Sequence, residues 1–354
     1  MHLPLLSKQV LVGNSLGSAE QRYYAFPSIL RLKDGSVLIA YKNGEKHLLD
    51  SSAPLDVFKL DPDTGRMFGQ LTVGNEPGWI YQNPELMRMP DDSIMLYCDI
   101  QVPGNSKTRI GLRVFRSMDE GESFQDEGWF PQVGDYVYGY SFDDAVSPAS
   151  PDALQPDVDM LIMSFPELVG GERAVHAVRS GDNGRSWTYI RNLNREFDFA
   201  FNESSLVAYE GGYVLAARGD DKATRLYRTD SEFRMLAQRD LSQQYDSIEY
   251  IGRPELFWQD ERLYLLCRNI APGQKIGTLR LYRIDPATIE VKGYAELHAN
   301  DCSAGDSYYA EQYRIEREGN SYLNIITYVP QATGNKPDIV RLEYDWKLLM
   351  ETIG

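Results

Sequence analysis

One hairpin design recurs along this chain, and it constrains the fold more than any other feature. It appears as FPSILRLKDGSVLIAY (26 to 41), NPELMRMPDDSIMLYC (83 to 98), NESSLVAYEGGYVLAAR (202 to 218), RPELFWQDERLYLLCR (253 to 268) and, more loosely, YAEQYRIEREGNSYLNIITY (309 to 328). Each copy is an alternating apolar stretch, a short turn rich in Asp, Glu, Gly or Asn, and a second apolar stretch, which is the pattern of a β-hairpin. A sixth copy is expected at 145 to 164, where PDALQPD replaces the tight turn before VDMLIMS.

A second signal follows the hairpins. Ser117-Met118-Asp119-Glu120-Gly121-Glu122-Ser123-Phe124 and Ser180-Gly181-Asp182-Asn183-Gly184-Arg185-Ser186-Trp187 both read S-x-D-x-G-x-S-aromatic, with degenerate copies near Asp61, Asp230 and Asp285. Asp and Ser side chains satisfy loop N–H groups, Gly supplies a positive φ, and the aromatic tucks beneath, so the motif is a tight turn between strands. Hairpin plus turn gives four strands in a repeat of roughly 50 to 60 residues, the unit of a β-propeller. The sequence therefore predicts an all-β, six-bladed propeller with four antiparallel strands per blade, occupying 1–354 as one domain.

Composition agrees. Tyr stands at 23 and Gly at 29, and no long stretch is helically periodic, which argues against the crossover helices of an α/β enzyme. A net charge of −16 opposes nucleic acid and anionic membrane as partners, because both require basic patches. A small anionic ligand remains compatible, since a pocket can hold a local arginine cluster. Cys98, Cys267 and Cys302 have no C-x-x-C spacing and are expected to be small buried hydrophobes. No signal peptide or apolar run of membrane length is written in the sequence, so a cytoplasmic location is expected, or a secreted or periplasmic one if a leader was removed. His47 and His176 sit at no metal-ligand spacing, and neither a metal nor a cofactor is expected.

In a propeller the first strand of each blade lines the central channel, so residues opening the hairpins converge at one end of it. The repeats superpose Phe26, Asn83, Glu203, Arg253 and Tyr309. A short hairpin returns its second strand to the same end, which brings Arg218 back beside Glu203 and Arg268 beside Arg253. The tyrosine-dense segment Val133 to Tyr140 precedes the third hairpin, where aromatic faces suit the stacking of a sugar.

The turn motifs and the NESSLV hairpin resemble the Asp-box repeats of the sialidase superfamily, and the resemblance covers nearly the whole chain. It implies an exo-acting glycoside hydrolase on a terminal sialic acid or related keto-acid sugar, retaining, with Tyr309 as nucleophile and Glu203 as its activating base. Tyr308 is the neighbouring alternative for the nucleophile. The resemblance further implies Arg218, Arg253 and Arg268 around the sugar carboxylate, with Asn83, Glu85 and Tyr308 among the substrate contacts. Asp50, in the loop after the first hairpin, matches the acid/base by loop position, with Asp56 or a purely structural role as alternatives. The family's first-blade R-[IF]-P motif reads Ala25-Phe26-Pro27 here, so one clamp arginine is missing; Arg22 falls on the opposite strand face from Ala25. Two other readings stay open: a noncatalytic glycan-binding propeller, and a two-carboxylate, exo-arabinanase-like glycosidase pairing Glu203 with Asp50, Glu85 or Asp144.

Overall fold

The structure is a computed structural model that describes residues 5–14, 21–47, 50–104, 108–148, 156–221, 223–241, 250–270, 277–299, 307–330 and 336–354. Its strands form six four-stranded antiparallel sheets, the six blades of a propeller. The innermost strands are Tyr23–Arg31, Ile80–Arg88, Tyr138–Val146, Phe201–Tyr209, Tyr250–Gln259 and Ala310–Arg317. Five sheets are built from consecutive strands. The sixth is completed by the chain's first strand, Ser7–Val12, which pairs with Pro337–Asp345. This pairing ties the two ends of the chain into one sheet and closes the ring.

Each junction between neighbouring blades has its own apolar core. Leu38, Ala40 and Val57 of the first blade meet Leu86, Leu96 and Cys98 of the second, and Tyr23, Ile39 and Phe58 meet Tyr313, Ile326 and Tyr328 across the closing junction. Alternation along the strands is what makes this possible, because the two faces of a sheet address two different neighbours. Cys98 and Cys267 are free and buried, as expected of small hydrophobes; Cys302 lies outside the described residues.

The S-x-D-x-G-x-S segments form the turns between the third and fourth strands of the second and third blades. Asp119 accepts from the Ser123 N–H (3.0 Å) and hydroxyl (2.6 Å), and Ser117 Oγ accepts from the Gly121 N–H. Asp182, Ser186, Ser180 and Gly184 repeat the arrangement, with Gly121 and Gly184 both at positive φ.

The third blade departs from expectation. Its inner strand begins at Tyr138 rather than near 145, so two tyrosines of the dense segment, Tyr138 and Tyr140, belong to the strand itself. Among the described residues no helix is long and apolar enough to cross a membrane.

Candidate active site

The inner strands do not run straight into the channel mouth. Pairing with the second strand skips between Ala25 and Ser28, between Gln82 and Glu85, between Phe201 and Ser204, and between Gly252 and Glu255. These are β-bulges at the hairpin openers, and a bulge re-aims a side chain that a regular strand would send sideways into the blade junction. Phe26, Asn83 and Arg253 adopt φ of 57°, 45° and 40°, a left-handed conformation that costs roughly 1–3 kcal/mol per non-glycine residue and clusters at functional sites. Each is followed by proline, which a strand tolerates at a bulge because the ladder is already interrupted there.

Four of the five openers, Phe26, Asn83, Glu203 and Tyr309, line one cavity of about 590 Å³ whose wall also includes His47, Arg109, Tyr140 and Phe165, whereas Arg253, Arg218 and Arg268 do not line it. Tyr309 donates its hydroxyl hydrogen bond to Glu203 Oε1. The other carboxylate oxygen, Oε2, accepts from Arg218 Nη1 at 2.9 Å and from the Arg253 backbone N–H at 2.8 Å. Arg253 and Arg268 place their guanidinium carbons 5.8 and 5.9 Å from the centre of the Tyr309 ring. Glu203, Tyr309, Arg218, Arg253 and Arg268 are therefore one cluster.

Its electrostatics are uneven. Burial alone pushes a carboxyl up, but Arg218 and Arg268, then the Tyr309 hydroxyl and the Arg253 N–H, outweigh it and hold Glu203 down at about 2. Burial, and then the Glu203 charge, push the Tyr309 phenol well above its ordinary value. At rest the shared proton sits on Tyr309.

One residue pair deeper, the next inward-facing positions are Ser28, Glu85, Asp143, Ser205, Glu255 and Glu311, one from each blade. Several of them accept a backbone N–H from the neighbouring blade: Leu86 to Ser28, Leu206 to Asp143, Leu256 to Ser205 and Ile29 to Glu311. Four of these six side chains are carboxyls, and Arg253 reaches down to them. It pairs with Glu85, donates to the Tyr140 hydroxyl at 2.5 Å, and approaches the Phe142 carbonyl at 3.4 Å. Burial, followed by mutual repulsion with Asp143, Glu311 and Glu85, raises Glu255 well above the carboxylate range; burial likewise raises Glu85, against the pull of Arg253. Glu311 is pushed up to about 7, chiefly by burial.

Several expected contacts lie elsewhere. Glu85 is buried beneath the cavity against Arg253 and does not line it. Tyr308 points into the core, fully buried, with its hydroxyl 2.6 Å from His298 Nδ1, and its left-handed backbone, at a φ of 62° just before the inner strand, parts it from Tyr309. Asp50 is also withdrawn: it forms an ion pair with Lys42 at 2.7 Å in which both side chains are fully buried, and it accepts the Lys46 N–H at 3.0 Å. A Cβ at position 44 would sit 2.5 Å from Lys42 Cε, so Gly44 is what lets this pair close. Asp56 binds Asn43 and Thr72 within the first blade. Arg22 donates to Asn43, away from the cavity, and Ala25 is fully buried in a blade junction. The side chain of Asp144 lies outside the described residues.

Asn83 lines the cavity as expected and donates to Asp99 at 3.2 Å. Asp99, itself fully buried, also pairs with Arg109 at 2.9 Å and holds Gln101, which bonds Gln82. Arg109 lies over the Phe165 ring at 4.1 Å. This second-blade wall was missed from the sequence, although the three polar residues Gln82, Asp99 and Gln101 at strand ends facing the openers were visible there.

The fold is that of the sialidase-type propellers. A protein of unknown function from Dyadobacter fermentans superposes with a TM-score of 0.72 at 15% identity, over 96% of this chain and 98% of that one. The intramolecular trans-sialidase from Ruminococcus gnavus, solved with oseltamivir carboxylate, gives 0.66 at 13% identity over 94% and 96%. The NanB sialidase from Streptococcus pneumoniae gives 0.65 at 10% identity over 99% of this chain and 71% of that one. No protein-family model matches the chain, and no curated protein matches it. At these identities the sialidase-type likeness is one of architecture, and chemistry has to be argued from the site itself.

Proposed function

We propose that this chain is an exo-acting glycoside hydrolase of sialidase-like type that acts on a terminal sugar carrying a carboxylate, with Tyr309 as nucleophile and Glu203 as its base. The observation that carries the proposal is the Tyr309 hydroxyl bonded to Glu203 inside a cavity, with three guanidinium groups around the pair. The cavity volume suits one sugar unit rather than a long chain.

The chemistry follows from the charges. A phenol is a poor nucleophile until its proton leaves, and Glu203 stands where that proton must go. A substrate carboxylate settling beside Arg218 and Arg268 offsets the two charges that hold Glu203 down, so binding the anionic sugar makes Glu203 a better base when it is needed. The phenolate then attacks a carbon flanked by that carboxylate with less repulsion than a carboxylate nucleophile would meet. Arg218 is paired to Glu203, Arg253 to Glu85, and Arg268 donates to the Ser307 carbonyl at 3.1 Å, so a sugar carboxylate would share these guanidinium groups with the contacts they already make.

A two-carboxylate mechanism is less well supported, since Asp50 is sealed against Lys42 and Glu85 against Arg253. The test compares wild type with Tyr309→Phe on aryl glycosides of sialic acid, of related keto-acid sugars and of neutral pentoses. Turnover of an acidic sugar that collapses in Tyr309→Phe is expected. Equal rates for the two proteins remove the nucleophile, and binding without turnover in wild type decides for a noncatalytic glycan receptor.

A further inference from the structure

Retaining hydrolysis needs a group that gives a proton to the departing oxygen and later takes one from water. Asp50 is sealed in its ion pair with Lys42 and is absent from the cavity wall. The same loop nevertheless presents a titratable group there. His47 is half-buried and lines the cavity with Glu203 and Tyr309.

His47 is held at both ends. Its carbonyl accepts from Lys42 Nζ at 2.9 Å and from Gln82 Nε2 at 2.8 Å, and its Nδ1 lies 2.9 Å from the Tyr23 hydroxyl. The ring packs edge-on against Phe26 with centroids 5.3 Å apart, and Phe26 stands 5.3 Å from Tyr309 in turn. Phe26 thus packs against both the imidazole and the nucleophile, and all three residues line the one cavity in which a sugar's anomeric centre and its leaving oxygen would lie. The Lys42–Asp50 pair reads naturally as the support of this arrangement: Asp50 charges and anchors Lys42, and Lys42 clamps the loop carbonyls of Lys46 and His47.

Resting on the function proposed above, we infer that His47 is the acid/base catalyst of the reaction. In the first step Tyr309 Oη bonds to the anomeric carbon, and the bond from that carbon to the leaving oxygen breaks. The electron pair stays on the oxygen, which takes a proton from His47 Nε2, while the Tyr309 proton passes to Glu203. In the second step water gives a proton to the neutral imidazole and its oxygen to the anomeric carbon. The carbon–Oη bond breaks and the phenolate recovers its proton from Glu203. Nδ1 keeps its contact with Tyr23 throughout.

The experiment compares His47→Asn and Glu167→Gln, the latter at a carboxyl that also lines the cavity, with wild type on aryl sialosides whose phenols range from dinitrophenol to unsubstituted phenol. A dinitrophenolate departs without a proton and an unactivated phenol does not, so loss of the acid catalyst shows as leaving-group dependence. For His47→Asn the expected loss of kcat/KM is about 10²- to 10⁴-fold on the unactivated phenol, the usual worth of general acid catalysis, and only a few-fold on the dinitrophenyl sialoside. That second rate also reports that the variant is folded. Equal loss on both substrates, no loss on either, or leaving-group dependence at Glu167→Gln instead overturns the assignment. If wild type cleaves none of the acidic glycosides, it is the hydrolase reading that fails, and the role of His47 fails with it.

Discussion

The Tyr309 hydroxyl and the Glu203 carboxylate, 106 residues apart in sequence, share one hydrogen bond inside the cavity. The contact exists because both residues open inner strands of a closed ring, in blades four and six. Glu203→Gln preserves the shape of that contact but offers no base. The expected result is a fall in kcat/KM of about 10²- to 10⁴-fold on acidic aryl glycosides, with the far-UV circular dichroism unchanged. An active Glu203→Gln variant would falsify the base assignment.

Arg218 is the strongest charge opposing the effect of burial on Glu203. Glu203 must be ionised to accept the phenol proton, so activity is lost as pH falls through its pKa. In wild type that loss belongs near the value of about 2. Removing a neighbouring cation raises a carboxyl pKa by about 1 to 3 units. In Arg218→Gln the acid limb of the kcat/KM profile is therefore expected to move upward, and it is read by rate measurements between pH 2 and 6. A limb that stays in place detaches Arg218 from Glu203.

The parts legible from sequence were those fixed by local pattern and repetition. The hairpins, the Asp-Ser turns and the superposed openers located the six blades and the pairing of Glu203 with both Tyr309 and Arg218. What escaped depends on partners that no local pattern names. Asp50 reads as a loop acid until Lys42, on the second strand of the same hairpin, is seen to swallow it. The carboxyl ring was written in Asn83-Pro84-Glu85, Arg253-Pro254-Glu255 and Tyr309-Ala310-Glu311, two residues beyond each opener. Only closure of the propeller turns that spacing into a shared axial layer. The pairing of Ser7–Val12 with the last strand was hidden for the same reason, since its partner lies at the other end of the chain.

The Lys42–Asp50 pair carries a stability prediction. Both side chains are fully buried, and burial lowers the proton affinity of Lys42 while Asp50 opposes that effect. Asp50→Asn leaves an ammonium without its counter-charge in a dry site. Breaking one side of such a pair costs about 3–5 kcal/mol, to be read from urea unfolding of the two proteins. A variant as stable as wild type returns Asp50 to the pool of solvated loop carboxylates.

Glu311 makes the fold itself sensitive to pH. Its pKa moves from the ordinary 4.5 to about 7 in the folded chain, chiefly through burial, with Asp143 adding repulsion and the Ile29 N–H and Arg253 opposing it. Between those two values the native state binds a proton that the unfolded chain has released, so stability declines as pH rises. The stabilising contribution is complete below about 4.5 and gone above about 7. Glu85 and Glu255 are shifted in the same direction and carry the decline further into the alkaline range. Carboxylates with lowered pKa, such as Asp119 and Asp182, act only under more acid conditions, whereas His176, lowered by burial to about 4, adds stability as pH rises towards its ordinary 6.5, so the ring is read above pH 6.5 and from the difference between wild type and a Glu311 variant. From pH 6.5 to 8 the melting temperature of wild type is expected to fall. Glu311→Gln, neutral at every pH, should flatten the curve and melt higher than wild type at pH 8 by the equivalent of a few kcal/mol, at about 1.4 kcal/mol per pKa unit. A wild-type curve that rises from pH 6.5 to 8, or a Glu311→Gln variant less stable than wild type at pH 8, shows that Glu311 is ionised and firmly paired in the folded ring.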